Sequence, residues 1–523
     1  MVLLYRSVIS PVLKINLNTK NAGYLLNNSP LPNLITYNNT INYADGSESK
    51  LLSAVSDPNF DEFTSWRAIS DWAQYYHLSP LRRNLLNWIN FGNKPLRILE
   101  LGAGCGAITS FLVTIPSSDV VAVEGALDRA NVIRFRCKNA DNLQIHACPI
   151  NEFNPDNSFD IITLIGVLEY AGCYETAKDP FKAVLSKAAD MLSEDGILIV
   201  AIENQLGCKY ISGCPEDHYG VPYEGLNGYP NYNGIKTFTL KTLSQKLDNA
   251  GLDCQKWFYP YPDYKLPSVI FSETAFRYPG FDWIALTDVP PEPNENSKPT
   301  FNDRSFLSLI QQTGTVNHFM NSFLIFAGKG NNLIIDNHEK ILAVKSNVKF
   351  RTQSFQTSTV FSKDSDKISV FKKRLFPNLP TQCQEIKLNI DKSGETYYND
   401  TINIFDAILK EIQNRDYEKT IQYFNTWVEI LQEYSEKAKE QNIVDFRNFS
   451  KKSIGQPIYE KFYNDEWIKG TFIDLVPLNI LIPVNKAYTI NDCKVIDREW
   501  EVSFDIPVQL VFDRDFFYYQ INF

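Results

Sequence analysis

No two of the nine cysteines form a CxxC pair, and the five histidines stand apart from one another along the 523 residues. An odd cysteine count without a regular framework reads as reduced thiols in a reducing compartment, and no zinc or iron motif is visible, so no metal site is expected. No stretch approaches the roughly 20 apolar residues that a membrane-spanning helix needs. Residues 1–20 lack the charged start, apolar run and small-residue cleavage site of a secretory leader. There is no Lys/Arg-rich stripe, and the formal net charge is −10. A polyanion would meet general repulsion, so nucleic acid is not an expected partner. Together these absences predict a cytoplasmic chain, peripheral at most at the inner face of a membrane.

What is abundant is aromatic. Phe, Trp and Tyr make up 13% of the chain, with 27 Tyr. Tyr joins an apolar ring to a polar tip and suits polar ligand grooves, although a Tyr- and Asn-rich genome would leave the same surplus. The length predicts two or three domains. Residues 1–55 are polar and weakly patterned, with short apolar runs such as Val12-Leu-Lys-Ile-Asn-Leu17, and read as an arm without an assignable role. Residues 62–92 read as helical, with Leu81, Leu85 and Trp88 on a core face and Trp66 nearby. From residue 96 to about 202, apolar strands alternate with helices: Arg97–Leu101, Val120–Glu124, Asp160–Ile165 and Gly196–Ile202. That alternation predicts an α/β fold with a parallel sheet. Thr239 can cap a helix that Gly251 stops, a strand follows near Cys254–Tyr259, and Ser322–Ala327 is the next expected strand of the same sheet. The proline-rich run at 287–299 reads as an exposed loop within an insertion at about 265–305. Beyond residue 345 the pattern changes to an α+β unit: a strand at Lys367–Lys373, a helical pair at 401–440, and strands at Asn479–Val484 and Lys494–Asp497.

The strongest local signal is Glu100-Leu-Gly102-Ala-Gly104-Cys-Gly106, directly after one strand and before a helix. Glycine permits the tight turn and close approach of a ligand to the backbone. Glu124 ends the next strand, where a carboxylate can accept both hydroxyls of a ribose. Nicotinamide and flavin enzymes usually show GxGxxG facing a pyrophosphate. Here an acidic residue leads an ExGxGxG loop, which resembles class I S-adenosylmethionine-dependent methyltransferases. Further segments carry a narrower likeness: Tyr76–Asn84, Gly166-Val-Leu-Glu-Tyr170, Ala201-Ile-Glu-Asn204, Glu216-Asp-His218, Tyr259–Tyr264 and Asn321–Leu324. These resemble bacterial methyltransferases found with surface-polysaccharide genes, including O-antigen-capping fusions to a kinase-like region.

That resemblance implies a Rossmann-like seven-stranded methyltransferase sheet at 56–330 and a smaller kinase-like domain at 345–523. It implies S-adenosylmethionine as cofactor, approached by Gly102, Gly104 and Gly106. Glu124 would hold the ribose, and Glu100 would lie near the ammonium. Arg82 is a candidate for the cofactor carboxylate, because a guanidinium can pair with it bidentately; the plainer alternative is a surface helix residue. Where an Asp or Asn often meets the adenine stands Cys148-Pro149-Ile150-Asn151, with Ile150 the cofactor contact. The segment Cys214–Tyr219 would lie over the methyl group, which makes His218 the candidate catalytic base. A structural histidine bound to a neighbouring carboxylate is the alternative. The surrounding Tyr219, Tyr223, Tyr229 and Tyr232 suit a sugar.

The implied acceptor is thus a sugar, sugar phosphate or glycan precursor, with glycan-assembly enzymes as possible partners. A small secondary metabolite, or a non-catalytic scaffold, are the competing readings. In the C-terminal unit Asp474-Leu-Val-Pro477-Leu-Asn479 resembles a kinase catalytic loop, and Asp497 resembles the following metal-binding Asp. Lys372 or Lys373 could stand for the nucleotide-binding lysine. Phe472 and Ile473 replace the usual His and Arg, and no glycine occurs between Gly330 and Gly394. A degenerate kinase-like domain is therefore expected. Mg-ATP enters only if that domain is active, with Asp474 as catalytic Asp and Asn479 and Asp497 on the metal.

Overall fold

The structure, a computed structural model, describes residues 31–37, 46–63, 71–232, 234–287, 300–301, 303–329, 340–348, 351–364, 367–383, 386–390, 395–397, 400–436, 466–484, 486–497, 499–508 and 511. The apolar run Val12–Leu17, Trp66 and most of the proline-rich loop lie outside them. The chain divides into two units: residues 23–346 with 360–366, and residues 1–22, 347–359 and 367–523.

The larger unit is built on one sheet. Its strands in chain order are β1 (Asn33–Thr36), β2 (Leu96–Leu101), β3 (Ser118–Glu124), β4 (Leu143–Ala147), β5 (Phe159–Ile165), β6 (Leu192–Glu203), β7 (Cys254–Tyr261), β8 (Val269–Ser272), β9 (Ser322–Gly328) and β10 (Ile341–Asn347). Their spatial order is β1-β4-β3-β2-β5-β6-β9-β7-β8-β10. Strands from β1 to β6 pair in parallel. β9 runs antiparallel to β6 and to β7, and β8 runs antiparallel to β7 and to β10. The parallel strands are apolar on successive residues because both faces are covered. Ile98, Leu99, Leu101, Ile162, Leu164 and Leu198 are all fully buried.

The seven central strands, β4-β3-β2-β5-β6-β9-β7, form the Rossmann-like arrangement the sequence implies, but the sheet is wider than seven. β1 extends it at one edge, so the segment 1–55 is not simply an arm. A helix at Glu48–Ser56 (α1) also belongs to this unit: Leu51 and Val55 are fully buried, and Glu48 pairs with Arg129 at 3.1 Å. Beyond β7, β8 lies inside the supposed insertion, ahead of the expected next strand at Ser322. The helical reading of 62–92 also needs correction. The helix Trp72–Leu78 (α2) stops at Ser79, because Pro80 disfavours helical geometry in the residue before it. A 3-10 turn, Pro80–Leu85, follows, with the Ser79 hydroxyl accepting from Leu81 N–H at 3.3 Å. Leu81, Leu85 and Trp88 are buried as expected.

The smaller unit has its own core. Two helices, Ile404–Gln413 (α3) and Tyr417–Glu433 (α4), are capped by the side chains of Asn403 and Asp416. Trp427 is buried and donates its indole N–H to the Leu475 carbonyl at 3.0 Å. Strands occur at Lys367–Arg374, Ile480–Pro483 and Lys494–Val495, close to the expected positions. The helical pair is less buried than its apolar spacing implies: Ile412 is 45% exposed, Ile421 60% and Phe424 40%.

Candidate active site

Strand β2 ends at Leu101, and the next turn holds three left-handed glycines: φ is 70° at Gly102, 56° at Gly104 and 76° at Gly106. A side chain at Gly102 would strike Val167, whose Cγ2 lies 2.5 Å from a Cβ placed there. At Gly104 no atom lies within 4 Å of such a Cβ, so this turn of backbone faces open space. Glu124, at the end of β3, accepts from Gly104 N–H at 2.7 Å and from Ala126 N–H at 2.9 Å. A carboxylate has about four acceptor positions, so capacity remains for ribose hydroxyls. Burial raises the Glu124 carboxyl above its ordinary range, against the pull of these N–H groups and of Arg129.

Glu100 is buried beneath the loop and accepts from the Thr109 hydroxyl at 2.6 Å. Burial pushes its carboxyl up to about 8, although Thr109 and Arg82 both favour the charged form. Arg82 is buried, not a surface residue. Its guanidinium stacks 4.3 Å from the Tyr76 ring centroid, and its Nε and Nη1 have no hydrogen-bond partner. A buried cation with two open donors fits a carboxylate ligand, and the open face of Gly104 fits close approach of a cofactor. Ile150 is buried at the start of a 3-10 turn just beyond β4. Cys148 N–H donates to the Glu124 carbonyl at 3.0 Å, which aligns that turn with the end of β3.

The other half of the site lies past β5 and β6. Glu169 follows β5, Glu203 ends β6, and both are fully buried. His218 approaches them: its Nε2 is 3.9 Å from Glu169 Oε1 and 4.0 Å from Glu203 Oε2. Its Nδ1 is 2.8 Å from Glu216 Oε1. Burial works against the charged imidazole, but Glu203, Glu169 and Glu216 outweigh it and hold its pKa up at about 10. In this arrangement His218 carries a proton at neutral pH and lacks the free lone pair a general base needs. The histidine is thus held by a neighbouring carboxylate, as the second of the two sequence readings has it.

Tyr264 joins the two halves. Its hydroxyl lies 3.4 Å from both Glu169 Oε1 and Glu203 Oε1. It also packs over Gly166, where a Cβ would meet it at 2.7 Å. Lys265 pairs with Glu203 Oε1 at 2.6 Å and with Asp217, and Lys209 pairs with Asp217 at 2.9 Å. Close by in sequence, Tyr219 stacks on Tyr232 at 4.0 Å between centroids. Sequence reasoning quoted the segments that hold Glu169, Glu203 and Tyr264 without assigning these residues a role. For the two glutamates the available signal was a carboxylate at the end of an apolar strand or a few residues beyond it.

A family model described as a methyltransferase domain matches residues 72–256, the stretch that contributes every one of these groups except Tyr264 and Lys265. The larger unit thus carries a methyltransferase domain. No curated protein matches the chain. Among solved structures, the methyltransferase unit is similar to a chain of the Haloferax volcanii complex between the Trm112 methyltransferase activator and a candidate methyltransferase, at 12% identity, TM-score 0.33, over 54% of this chain and 98% of that one. It is also similar to phosphoethanolamine N-methyltransferase 2 of Haemonchus contortus, at 12% identity and TM-score 0.30, over 48% of this chain and 52% of that one. A third is the N-methyltransferase NodS of Bradyrhizobium japonicum with S-adenosylhomocysteine, at 18% identity and TM-score 0.23, over 31% and 75%. The chain thus spans about half of the Haemonchus enzyme, and likenesses this distant carry no argument about the acceptor. Among the described residues no helix is long and apolar enough to cross a membrane.

The residues of the smaller unit that the sequence likens to a kinase site have partners of their own. Lys372 pairs with Asp497 and lies 2.7 Å from Glu499. Arg351 also meets Glu499, at 2.7 Å. Asn479 Nδ2 donates to the Asp474 carbonyl at 3.0 Å. Asp497 has a left-handed φ of 56°. Lys373, the alternative lysine, has its pKa lowered by burial.

Proposed function

We propose that the methyltransferase unit methylates a hydroxyl of a sugar, sugar phosphate or glycan precursor in bacterial surface-polysaccharide biosynthesis. The observation that carries a hydroxyl acceptor is the set of buried carboxylates, Glu169 and Glu203, beside His218. Carboxylate oxygens repel an anionic reacting group but can take the proton that a hydroxyl must lose. The neighbouring Tyr219 and Tyr232, together with the family resemblance of the motifs, support a sugar. The glycan class rests on that resemblance alone.

When bound, S-adenosylmethionine supplies an electrophilic methyl group on a sulfonium. Arg82 would pair with its carboxylate, Glu100 would lie by its ammonium, Glu124 would take the ribose hydroxyls and Ile150 would lie against the adenine. The acceptor hydroxyl would receive that methyl group, and its proton would pass to Glu169. Glu169 suits that step better than Glu203. Burial raises its pKa, whereas Lys265 and then His218 hold Glu203 in its charged form against burial.

For the smaller unit we propose a degenerate kinase-like module without ATP turnover. Lys372 is engaged by Asp497 and Glu499, and no Gly-rich loop is legible in the sequence to align a triphosphate.

The test is mass spectrometry of surface glycan with and without this protein, joined to transfer of labelled methyl to nucleotide-sugar and oligosaccharide acceptors. A methyl increment on glycan is expected, with Glu169→Gln slowing transfer by about 10²–10⁴-fold at unchanged S-adenosylhomocysteine affinity. Unmethylated glycan in both strains, with transfer to a small non-sugar metabolite, would overturn the reading.

A further inference from the structure

We propose that Glu169, Glu203 and His218 bind a divalent first-row transition-metal cation at the acceptor side of the methyltransferase unit. Their ligand atoms all lie within 4.8 Å of one another. Three observations separate this group from a self-contained ion pair.

The first is spacing. His218 Nε2 stands 3.9 and 4.0 Å from the two carboxylate oxygens, beyond hydrogen-bond reach. Ligands that each sit about 2.0–2.2 Å from one ion lie roughly 3–4 Å apart. The second is what the carboxylates lack. Glu169 and Glu203 are fully buried, and the Oε2 atom of each has no hydrogen-bond partner. Glu203 Oε2 is the very atom that faces His218 Nε2. The nearby ammonium groups are otherwise engaged: Lys265 meets the opposite oxygen of Glu203 and Asp217, and Lys209 meets Asp217.

The third is the support behind the imidazole. Glu216 Oε1 lies 2.8 Å from Nδ1, while its Oε2 accepts the backbone N–H groups of His218 and Tyr219 at 2.8 and 2.9 Å. A carboxylate held on one ring nitrogen fixes the tautomer and aims the other nitrogen, the arrangement usual behind a metal-bound histidine. A cation would take the place of the proton on Nε2. Two carboxylates and one imidazole suit a first-row divalent ion and leave coordination positions open. An acceptor hydroxyl in such a position would ionise more readily. The sequence shows no metal motif because the three ligands come from three separate segments. The link to the acceptor rests on the proposed hydroxyl-methylation reading; cation binding itself does not.

The experiment uses the full chain, treated with EDTA and dialysed, and titrated with Mn2+ while free Mn2+ is followed by electron paramagnetic resonance. One Mn2+ site is expected. Glu203→Gln should weaken it at least tenfold, and Glu216→Gln should weaken it by about 10–100-fold. Retained S-adenosylhomocysteine binding verifies that each variant is folded. Absence of Mn2+ binding, or equal binding in the folded Glu203→Gln chain, overturns the proposal. The two readings fail separately. Sugar methylation that is indifferent to EDTA, without Mn2+ binding, removes the metal and keeps the acceptor. Mn2+ binding that depends on Glu203, without any glycan methylation, removes the acceptor and keeps the metal.

Discussion

The two units treat their buried charges in opposite ways. In the smaller one Lys372, Asp497, Glu499 and Arg351 close on each other at ion-pair distance. In the methyltransferase unit Arg82, Glu169 and Glu203 keep buried polar atoms without a hydrogen-bond partner. A protein interior penalises such atoms, so their persistence marks places built to receive something. In the smaller unit Glu499 Oε2 also lacks a hydrogen-bond partner, but there the Lys372 ammonium stands 2.7 Å from it. The difference separates a binding site from a cluster that supports its own fold, even though both contain the residue types of catalysis.

The largest expected effect strikes the open side of this comparison. Gly104→Asp adds a side chain at a left-handed position facing open space and puts a second carboxylate beside Glu124. Binding of S-adenosylhomocysteine, measured by calorimetric titration, should fall by more than about 100-fold, because two or more charge-assisted hydrogen bonds to the cofactor would fail to form, each contributing roughly 1.5–3 kcal/mol. Unchanged affinity in the folded variant would remove the loop from the cofactor site.

A smaller effect is expected on the closed side. Lys372→Met leaves Glu499 with Arg351 alone and Asp497 partly exposed, so the smaller unit should lose about 1–3 kcal/mol of stability. Hydrogen exchange across Ile404–Glu433 should quicken, while S-adenosylhomocysteine binding stays the same. Phosphate transfer from Mg-ATP by the unmodified chain, lost in this variant, would instead make Lys372 a nucleotide-binding residue and break the comparison.

The smallest effect concerns protons. The Glu100 carboxyl titrates near 8 in the folded chain against an ordinary value of 4.5. Between those values the folded state keeps a proton that the unfolded state releases, so stability falls as pH rises across that window and levels off on either side. A cofactor ammonium near Glu100 would favour the carboxylate. Binding of S-adenosylhomocysteine at pH 7 should therefore release up to about one proton, read from binding enthalpies in buffers of different ionisation enthalpy. Glu100→Gln should abolish that buffer dependence; its survival would assign the proton to another group.

Much of the methyltransferase unit was legible along the chain. Continuous apolar runs such as Gly196–Ile202 mark strands covered on both faces, and Gly102, Gly104 and Gly106 mark a turn that only glycine makes freely. Thr239 caps its helix as read, accepting from Thr242 N–H. The short strands β1 and β8 were not legible, because four-residue segments acquire their identity from the partner they pair with. The exposure of Ile421 and Phe424 likewise escaped an apolar spacing that is the same for a covered face and an uncovered one.

The sequence by itself determined the glycine turn after β2, the carboxylate at the end of β3 and the alternation that builds the parallel sheet. These depend on the conformational freedom of glycine and on local periodicity, both of which act over a few residues. Only the tertiary structure decided the state of His218 and the meaning of Glu169 and Glu203. Their chemistry comes from mutual distance and loss of water, and Glu203, Glu169 and Glu216 reach the imidazole from separate segments of the chain. The same reason made Arg82 a buried, open guanidinium and Lys372 a closed ammonium: charge is written in the sequence, but its partner is chosen by the fold.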